Sequence, residues 1–198
     1  TRQDYVSAVY SMPSKFGSIK RASILKDTND LRRNLNIYLI SEGASGFLEA
    51  PSKLLKENVK TWLDSVRMLS DTIDLFDAYV INLKIDFLVK AKTNVNPASL
   101  LANLKSELFA ELTTIPPDIG EHFYISEVHK ILKSHPDVLD VPIDSIEVKS
   151  VTGSRYTDYP YDIKANKSPK GTGSFIYIPE NSIWEIRYLD DISGTILV

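Results

Sequence analysis

The stretch RMLSDTIDLFDAYVINLKIDFLVKAK, residues 67–92, decides how this chain folds. From residue 79 to residue 89 every odd position carries an apolar or aromatic side chain, whereas the even positions include Asn82, Lys84 and Asp86. In a β-strand, successive side chains point to opposite faces, so alternation with a period of two separates a buried face from a solvated one. The pattern therefore predicts a long β-strand with one buried face.

Three carboxylates precede this strand at every third position: Asp71, Asp74 and Asp77. Such a cluster raises the question of a metal site or a proton-transfer site. A calcium-binding loop needs oxygen ligands at alternate positions and a central glycine, whereas the intervening residues here include Ile73 and Phe76. We predict that the aspartates form a helical end or a turn that leads into the strand, where they accept backbone hydrogen bonds. A metal or acid–base site is the alternative.

Helix caps and apolar spacing define the other elements. Ser52 and Asn96 each precede an amphipathic stretch, and Pro97 follows the second cap at the position where proline suits a helix start. We predict helices over 2–12, 52–70, 97–115 and 125–135, strands over 18–27, 34–42 and 138–151, a hairpin over 174–191 and a last strand over 194–198.

This order of elements predicts an α+β fold, in which amphipathic helices pack on one face of a mostly antiparallel sheet and a C-terminal β-hairpin forms an extension. Strands 18–27 and 34–42 are expected to pair antiparallel, and a parallel crossover across helix 52–70 is compatible with the order. We divide the chain into an N-terminal helix with a linker (1–17), an α+β core domain (18–151), and a long loop with the hairpin that serves as an interaction element (152–198).

The composition narrows the classes of function. The 198 residues are 43% hydrophobic and 25% charged, which is typical of a globular domain with a substantial core. The net charge of −3 and the scattered basic residues argue against a nucleic-acid partner. The chain has no cysteine, which excludes disulfides and thiolate-bound metals. No apolar run approaches about 18 residues, so we expect no membrane span. Because the chain opens on Thr1 rather than methionine, we expect a fragment or a processed product.

The residue types that commonly carry catalysis form no recognisable constellation. His122, His129 and His135 do not have the spacing of zinc ligands, and no GxSxG motif is present. The glycine-rich KGTGS at 170–174 lacks the ending of a phosphate-binding loop, and we interpret it as a turn. We therefore predict no enzyme activity and no catalytic, metal or cofactor site. A small enzyme that uses Asp74, Asp77 and His129 is the alternative.

An irregular, aromatic-rich segment follows the core. Tyr156, Tyr159 and Tyr161 lie within residues 152–173, and Trp184 lies in the predicted hairpin. Tyrosine provides a large contact area at a low entropic cost, which favours protein interfaces. We treat these four residues as candidate interface residues. The alternative is that the loop folds over its own sheet and that Trp184 belongs to the core of the chain.

Several stretches, in their order and spacing, resemble the baseplate J-like proteins. TRQDYVSAV at the start is similar to the TRxDY opening of that family. The other similar stretches are NIYLI (36–40), RML (67–69), INLKIDFLV (81–89) and ISEVHKILKSHPDVLDV (125–141). Pro51 and Ser52, with the helix that follows them, are similar as well. The resemblance covers 1–151 and is closest to the C-terminal region of the baseplate wedge subunit of contractile-tailed (myovirus) bacteriophages.

The resemblance implies a structural virion protein without catalytic residues or a cofactor. It implies a homo-oligomer whose dimer contacts build a ring around the central hub. The subunits also bundle with other wedge proteins, and the ring rearranges when the sheath contracts. It implies localisation in the tail baseplate of the virion after assembly in the host cytoplasm, with neither nucleic acid nor a membrane as a partner. A surface- or carbohydrate-binding module of a tail protein, whose aromatic side chains stack on sugars, is the alternative function.

Overall fold

A computed structural model describes residues 2–26, 34–67, 72–168 and 175–198. This part of the chain contains four α-helices and eleven β-strands. The helices are α1 (Arg2–Tyr10), α2 (Lys53–Val66), α3 (Pro97–Thr114) and α4 (Ile125–Ser134). The strands are β1 (Arg21–Lys26), β2 (Asn34–Glu42), β3 (Leu48–Glu49), β4 (Thr72–Asp77), β5 (Tyr79–Ala91), β6 (Phe123–Tyr124), β7 (Val138–Asp140), β8 (Glu147–Ser150), β9 (Phe175–Ile176), β10 (Ser182–Glu185) and β11 (Ile192–Leu197). Most strand pairs are antiparallel, which confirms the predicted α+β class.

The chain divides into two compact units. The first unit comprises Thr1–Val80, Asp118–Gly120 and Pro179–Ile183; the second comprises Ile81–Pro117, Glu121–Ile178 and Trp184–Val198. This division differs from the predicted segments 1–17, 18–151 and 152–198. The reason is that α1 packs into the core of the first unit, while residues after 151 contribute buried side chains to both units.

The first unit is a sheet centred on β2. Strand β1 pairs antiparallel with β2, as predicted, and β4 pairs with β2 in parallel, which confirms a parallel crossover across α2. Helix α2 begins where the sequence indicates, because the Ser52 hydroxyl accepts a hydrogen bond from the backbone N–H of Leu55 at 3.2 Å. Helices α1 and α2 supply buried side chains to the same cluster as the sheet, whose members are Tyr5, Val9, Met12, Ile24, Ile37, Leu39, Val59, Leu63 and Ile73.

The stretch that contains Asp74 and Asp77 is strand β4, so the prediction of a helical end or a turn is wrong for these residues. In the parallel register, Ile73 lies beside Leu35 of β2. Ile73 is buried and Leu75 packs partly against the same cluster, so the strand is held by apolar burial on one face. The aspartates and the short length of the strand hide this alternation in the sequence.

Strand β5 is the centre of the second unit. Its odd-numbered side chains from residue 81 to residue 91 are all at most 3% exposed, as the alternation predicts. They belong to one cluster with buried leucines of α3 and with Val128 and Leu132 of α4. Strands β7 and β8 pair with β5 antiparallel, and β11 pairs with it in parallel. A helix can pack on such an apolar face when it has one apolar stripe of its own, and both α3 and α4 have such a stripe.

The alternation of β5 begins two residues later than predicted. Tyr79 is 47% exposed, whereas Val80 is buried. Val80 belongs to a separate cluster of the first unit that includes Ile40 and Ile183. The side chain of Val80 therefore belongs to the core of the first unit, and the odd-numbered side chains face the core of the second unit from residue 81 onward.

The C-terminal strands pair differently from the predicted hairpin over 174–191. Strand β9 pairs with β6, and β10 pairs with β5. The chain does turn within the predicted hairpin, since the Ser182 N–H donates to the Pro179 carbonyl at 2.8 Å. Ile176 of β9 and Trp184 of β10 both lie in the buried cluster of the second unit, so each strand pairs where its inward side chain is buried. The final strand β11 confirms the strand predicted at the C-terminus.

The strand predicted over 138–151 is two strands, β7 and β8. Pro142 and a 3-10 turn over Ile143–Ser145 separate them. Proline has no N–H to donate to a sheet, which explains why the ladder is interrupted at this point.

We expect Leu104→Ala to destabilise the fold by about 2–5 kcal/mol, because Leu104 of α3 is completely buried and its truncation leaves a cavity. Urea unfolding followed by circular dichroism measures this loss. The matched control is Leu54→Ala on α2, where the side chain is 67% exposed and the change should stay within about 0.5 kcal/mol. Equal effects of the two substitutions would contradict the assignment of the core.

Candidate interaction surface

The predicted tyrosine segment begins with a buried hydrogen bond. The Tyr156 hydroxyl donates to Oδ1 of Asp191 at 2.6 Å, and its ring packs edge-to-face on Tyr188 with a centroid distance of 5.9 Å. Burial raises the pKa of the Tyr156 phenol, and the Asp191 carboxylate raises it further. Tyr156 therefore acts as a neutral donor to a carboxylate of its own unit.

Asp191 is the buried acceptor of this arrangement, with 1% of its surface exposed. Its Oδ2 accepts the backbone N–H of Tyr188 at 3.0 Å, and the Lys84 ammonium lies 3.6 Å from its Oδ1. A buried carboxylate is tolerated only when hydrogen bonds and an opposite charge compensate its desolvation. The partners of Asp191 meet both conditions.

A second buried polar group fixes the next residue of the segment. Asn82 of β5 is 1% exposed, and its Oδ1 accepts from the backbone N–H of Thr157 at 2.8 Å and from the Thr157 hydroxyl at 2.7 Å. The Asn82 amide donates to Glu185 at 3.1 Å, and Glu185 pairs with Arg187 at 2.7 Å. We call Asn82, Asp191 and their partners Thr157 and Tyr156 the polar clamp. It ties the tyrosine segment to its own sheet.

The other candidate aromatic residues also contact the second unit. Tyr159 and Tyr161 pack, half-buried, against its core, and the Tyr161 hydroxyl donates to the Tyr177 carbonyl. Burial raises the pKa of Tyr161 to about 12. Trp184 is 7% exposed and meets Phe123 edge-to-face at 5.0 Å. These contacts agree with the alternative in which the segment folds over its own sheet. An interface role for the exposed parts of these residues stays a prediction.

A row of partly exposed aromatic rings lies on the ribbon formed by β6 and β9. Tyr124 pairs in register with Phe175, while their neighbours Phe123 and Ile176 point into the core. His122 stacks on Phe175 with a centroid distance of 5.4 Å and lies 4.9 Å from Tyr177. Tyr124 is 42% exposed and Tyr177 is 44% exposed. We call His122, Tyr124, Phe175 and Tyr177 the aromatic face.

Sequence reasoning missed the aromatic face, although a signal was present. HFY at 122–124 and FIY at 175–177 each place two rings two residues apart, with an apolar residue between them. In a strand, this spacing puts both rings on one side. The pairing of two segments so distant in the chain was not available from the sequence.

Asp74 and Asp77, the described aspartates before the long strand, do not form a site. The carboxylate of Asp74 accepts from the Asn34 amide at 2.6 Å, and that of Asp77 pairs with Lys56 at 2.9 Å. An odd spacing along a strand puts the two side chains on opposite faces, which contradicts the alternative in which Asp74 and Asp77 act together in an acid–base site. Asp71 and the KGTGS stretch at 170–174 lie outside the described residues.

The histidines make local structural contacts. His122 Nδ1 accepts from the backbone N–H of Ile178, His129 Nε2 bonds the carbonyl of Val141, and His135 Nδ1 accepts from the backbone N–H of Asp137. Across the described ranges, no three histidine or carboxylate side chains are grouped so that they suit a metal ion. In the same ranges, no helix combines the length and apolarity needed to span a membrane.

Comparison with known proteins gives a similarity of fold. No protein-family model matches the chain, and no curated protein matches it. Among solved structures, the chain is similar to a component of the anti-feeding prophage (AFP) baseplate, a six-fold symmetrised cryo-EM structure, with a TM-score of 0.54 and 12% identity. The match covers 98% of this chain and 37% of that chain, so this chain spans little more than a third of the length of its structural neighbour.

We expect Tyr156→Phe to destabilise the second unit by about 1–3 kcal/mol, because it removes a donor from the buried Asp191 carboxylate. Urea unfolding measures the loss. Tyr124→Phe is the matched control, since the Tyr124 side chain lies on the exposed aromatic face and should lose less than about 0.5 kcal/mol. If Tyr156→Phe is as stable as the control, the polar clamp does not hold the segment.

Proposed function

We propose that this chain is a structural subunit of a phage-like tail baseplate. The observation that carries the proposal is the match of fold over 98% of the chain to a baseplate component. The resemblance of residues 1–151 to the baseplate J-like proteins, which rests on the sequence alone, supports the same proposal. The chain supplies a scaffold of two units, each compact, and its function is assembly rather than catalysis.

In this proposal the chain is part of a wedge subunit of a contractile tail. It self-associates through dimer contacts within a ring around the hub, bundles with other wedge proteins, and takes part in the rearrangement of the ring on sheath contraction. Its location is the virion tail, after assembly in the host cytoplasm, and it has neither a nucleic-acid nor a membrane partner. These details rest on the family resemblance.

The aromatic face is the surface we assign to self-association. Tyr124 and Tyr177 each expose more than two-fifths of their surface. The ribbon behind them is anchored by the buried Phe123 and Ile176, so the rings are presented with little freedom to lose. Rigid, half-exposed aromatic side chains are enriched among residues that dominate interface energies.

Sedimentation equilibrium over a range of concentrations tests this assignment. We expect the average mass to rise from the 22.3 kDa of the monomer toward that of a dimer, and we expect the double variant Tyr124→Ser, Tyr177→Ser to stay monomeric. Leu54→Ser is the matched control, because it also removes an exposed apolar side chain but lies on α2 in the first unit. A wild-type chain that remains monomeric throughout would contradict self-association.

A surface- or carbohydrate-binding module remains the second candidate, favoured by the same aromatic face. Aromatic rings offer flat apolar surfaces on which the CH faces of sugars can stack. A glycan array tests this function. Binding that is lost in Tyr177→Ala, without any change in oligomeric state, would support it over assembly.

A further inference from the structure

Strand β4 forms an open edge of the sheet in the first unit. Among the described residues, β4 pairs only with β2. One face of the strand is accessible along its length, because the side chains of Thr72, Asp74 and Phe76 are all exposed. A sheet edge of this kind has a row of backbone donors and acceptors with no strand beside it.

The hydrogen-bond pattern identifies the groups that face outward. The backbone N–H of Ala78 donates to the carbonyl of Leu39 in β2 at 3.0 Å. Because alternate residues of a strand bond the same neighbour, the even-numbered residues of β4 pair with β2. The N–H and C=O groups of Ile73, Leu75 and Asp77 therefore point away from β2. Two or three residues of an added strand can bond to them.

A lysine row from α2 borders this edge. Lys53, Lys56 and Lys60 line a groove of about 360 Å³ together with Leu75 and Phe76 of β4. The spacing of three and four residues puts the three ammonium groups on one side of the helix. The groove thus combines a backbone edge with a basic wall.

Carboxylates neutralise the lysine row only in part, since Glu57 and Asp74 also line the groove. Lys56 pairs closely with Asp77, at 2.9 Å. Lys53 is 92% exposed and lies 3.9 Å from Glu57, and no carboxylate of a described residue is within ion-pair distance of Lys60. Asp74 also borders the groove, but its carboxylate is bonded by Asn34 and lies on the sheet face opposite Asp77. On the side of α2, three ammonium groups therefore meet two carboxylates, Glu57 and Asp77, so that one positive charge is in excess, at Lys60.

The other side of the edge is aromatic. Phe76 is 42% exposed and stacks on Tyr38 with a centroid distance of 5.5 Å. A strand added to β4 would point alternate side chains toward the lysines of α2 and toward Phe76. Carboxylates suit the first set of positions and apolar side chains suit the second.

We propose that the open edge of β4 binds an extended segment of a partner protein in which acidic and apolar residues alternate. The backbone of the segment extends the sheet beyond β4, its carboxylates face Lys53 and Lys60, and its apolar side chains cover Phe76. This is strand addition, in which backbone hydrogen bonds supply affinity and alternate side chains supply specificity. The proposal concerns the first unit and does not depend on the aromatic face.

The lysines and the backbone edge favour an acidic protein segment over a second copy of this chain and over a nucleic acid. Pairing of β4 with β4 of a second copy would bring two lysine rows to the same face of the joined sheet, and like charges across a sheet are destabilising. A nucleic acid would neutralise the lysines, but phosphate oxygens only accept hydrogen bonds and would leave the outward carbonyls of Ile73 and Leu75 without donors.

A matched pair of peptides tests the proposal. The probe is an acetylated and amidated octapeptide that alternates glutamate and valine, and the control peptide replaces each glutamate with lysine. Each is titrated into the isotope-labelled chain and followed by amide NMR shifts. We expect the glutamate peptide to shift the amides of Ile73, Leu75 and Asp77, and the lysine peptide to leave them unchanged.

Two substitutions locate the contact. Lys60→Glu should weaken binding of the glutamate peptide about three- to tenfold, whereas Lys130→Glu, the same charge change on the exposed face of α4, should not. Leu75→Pro removes an outward N–H without breaking the ladder to β2, as proline at sheet edges permits, and should abolish binding. The amide spectrum of the rest of the first unit reports whether this variant still folds.

Three results would overturn the proposal. The first is equal binding, or equal absence of binding, of the glutamate and lysine peptides. The second is binding of the glutamate peptide that Lys60→Glu leaves unchanged. The third is a shift of the β4 amides with protein concentration when no peptide is present, which would assign the edge to a second copy of the chain.

Discussion

The second unit depends on the burial of one face of β5. Six side chains at odd positions from residue 81 to residue 91 are almost completely removed from solvent, and each large one contributes about 1.5–3 kcal/mol through the hydrophobic effect. Helices α3 and α4 cover this face, while strands on both sequence sides of the tyrosine segment pair with β5. The ribbon that carries the aromatic face is joined to the same packing, because Phe123 and Ile176 lie in the buried cluster around β5.

The elements with strong local signals were predicted from the sequence, and those set by distant pairing were not. Ser52 and Asn96 mark the starts of α2 and α3, because their side chains satisfy backbone N–H groups within three residues. Strand β4 has only six residues and is interrupted by aspartates, so its alternation is weak until β2 is placed beside it. The predicted hairpin was replaced because the partners of β9 and β10 lie far away in the chain.

The tyrosines of the candidate site were predicted from the sequence, but the contacts that hold them were not. Tyr156, Tyr159 and Tyr161 were identified by residue type, whereas the polar clamp joins the segment to Asn82 and Asp191 at distant positions. A buried polar group with satisfied partners favours one arrangement of the chain over others. A fixed scaffold presents the same aromatic rings in every copy of the chain, which the proposed assembly role requires.

The most direct test of the central role of β5 is native-state hydrogen exchange of its amides. The account predicts that residues 81–89 exchange most slowly in the second unit, since they are hydrogen-bonded to neighbouring strands and lie over the buried core. It also predicts faster exchange at the edge strand β4 of the first unit. If the amides of β5 exchange as fast as those of β4, the fold of the second unit does not depend on this strand, and the account is contradicted.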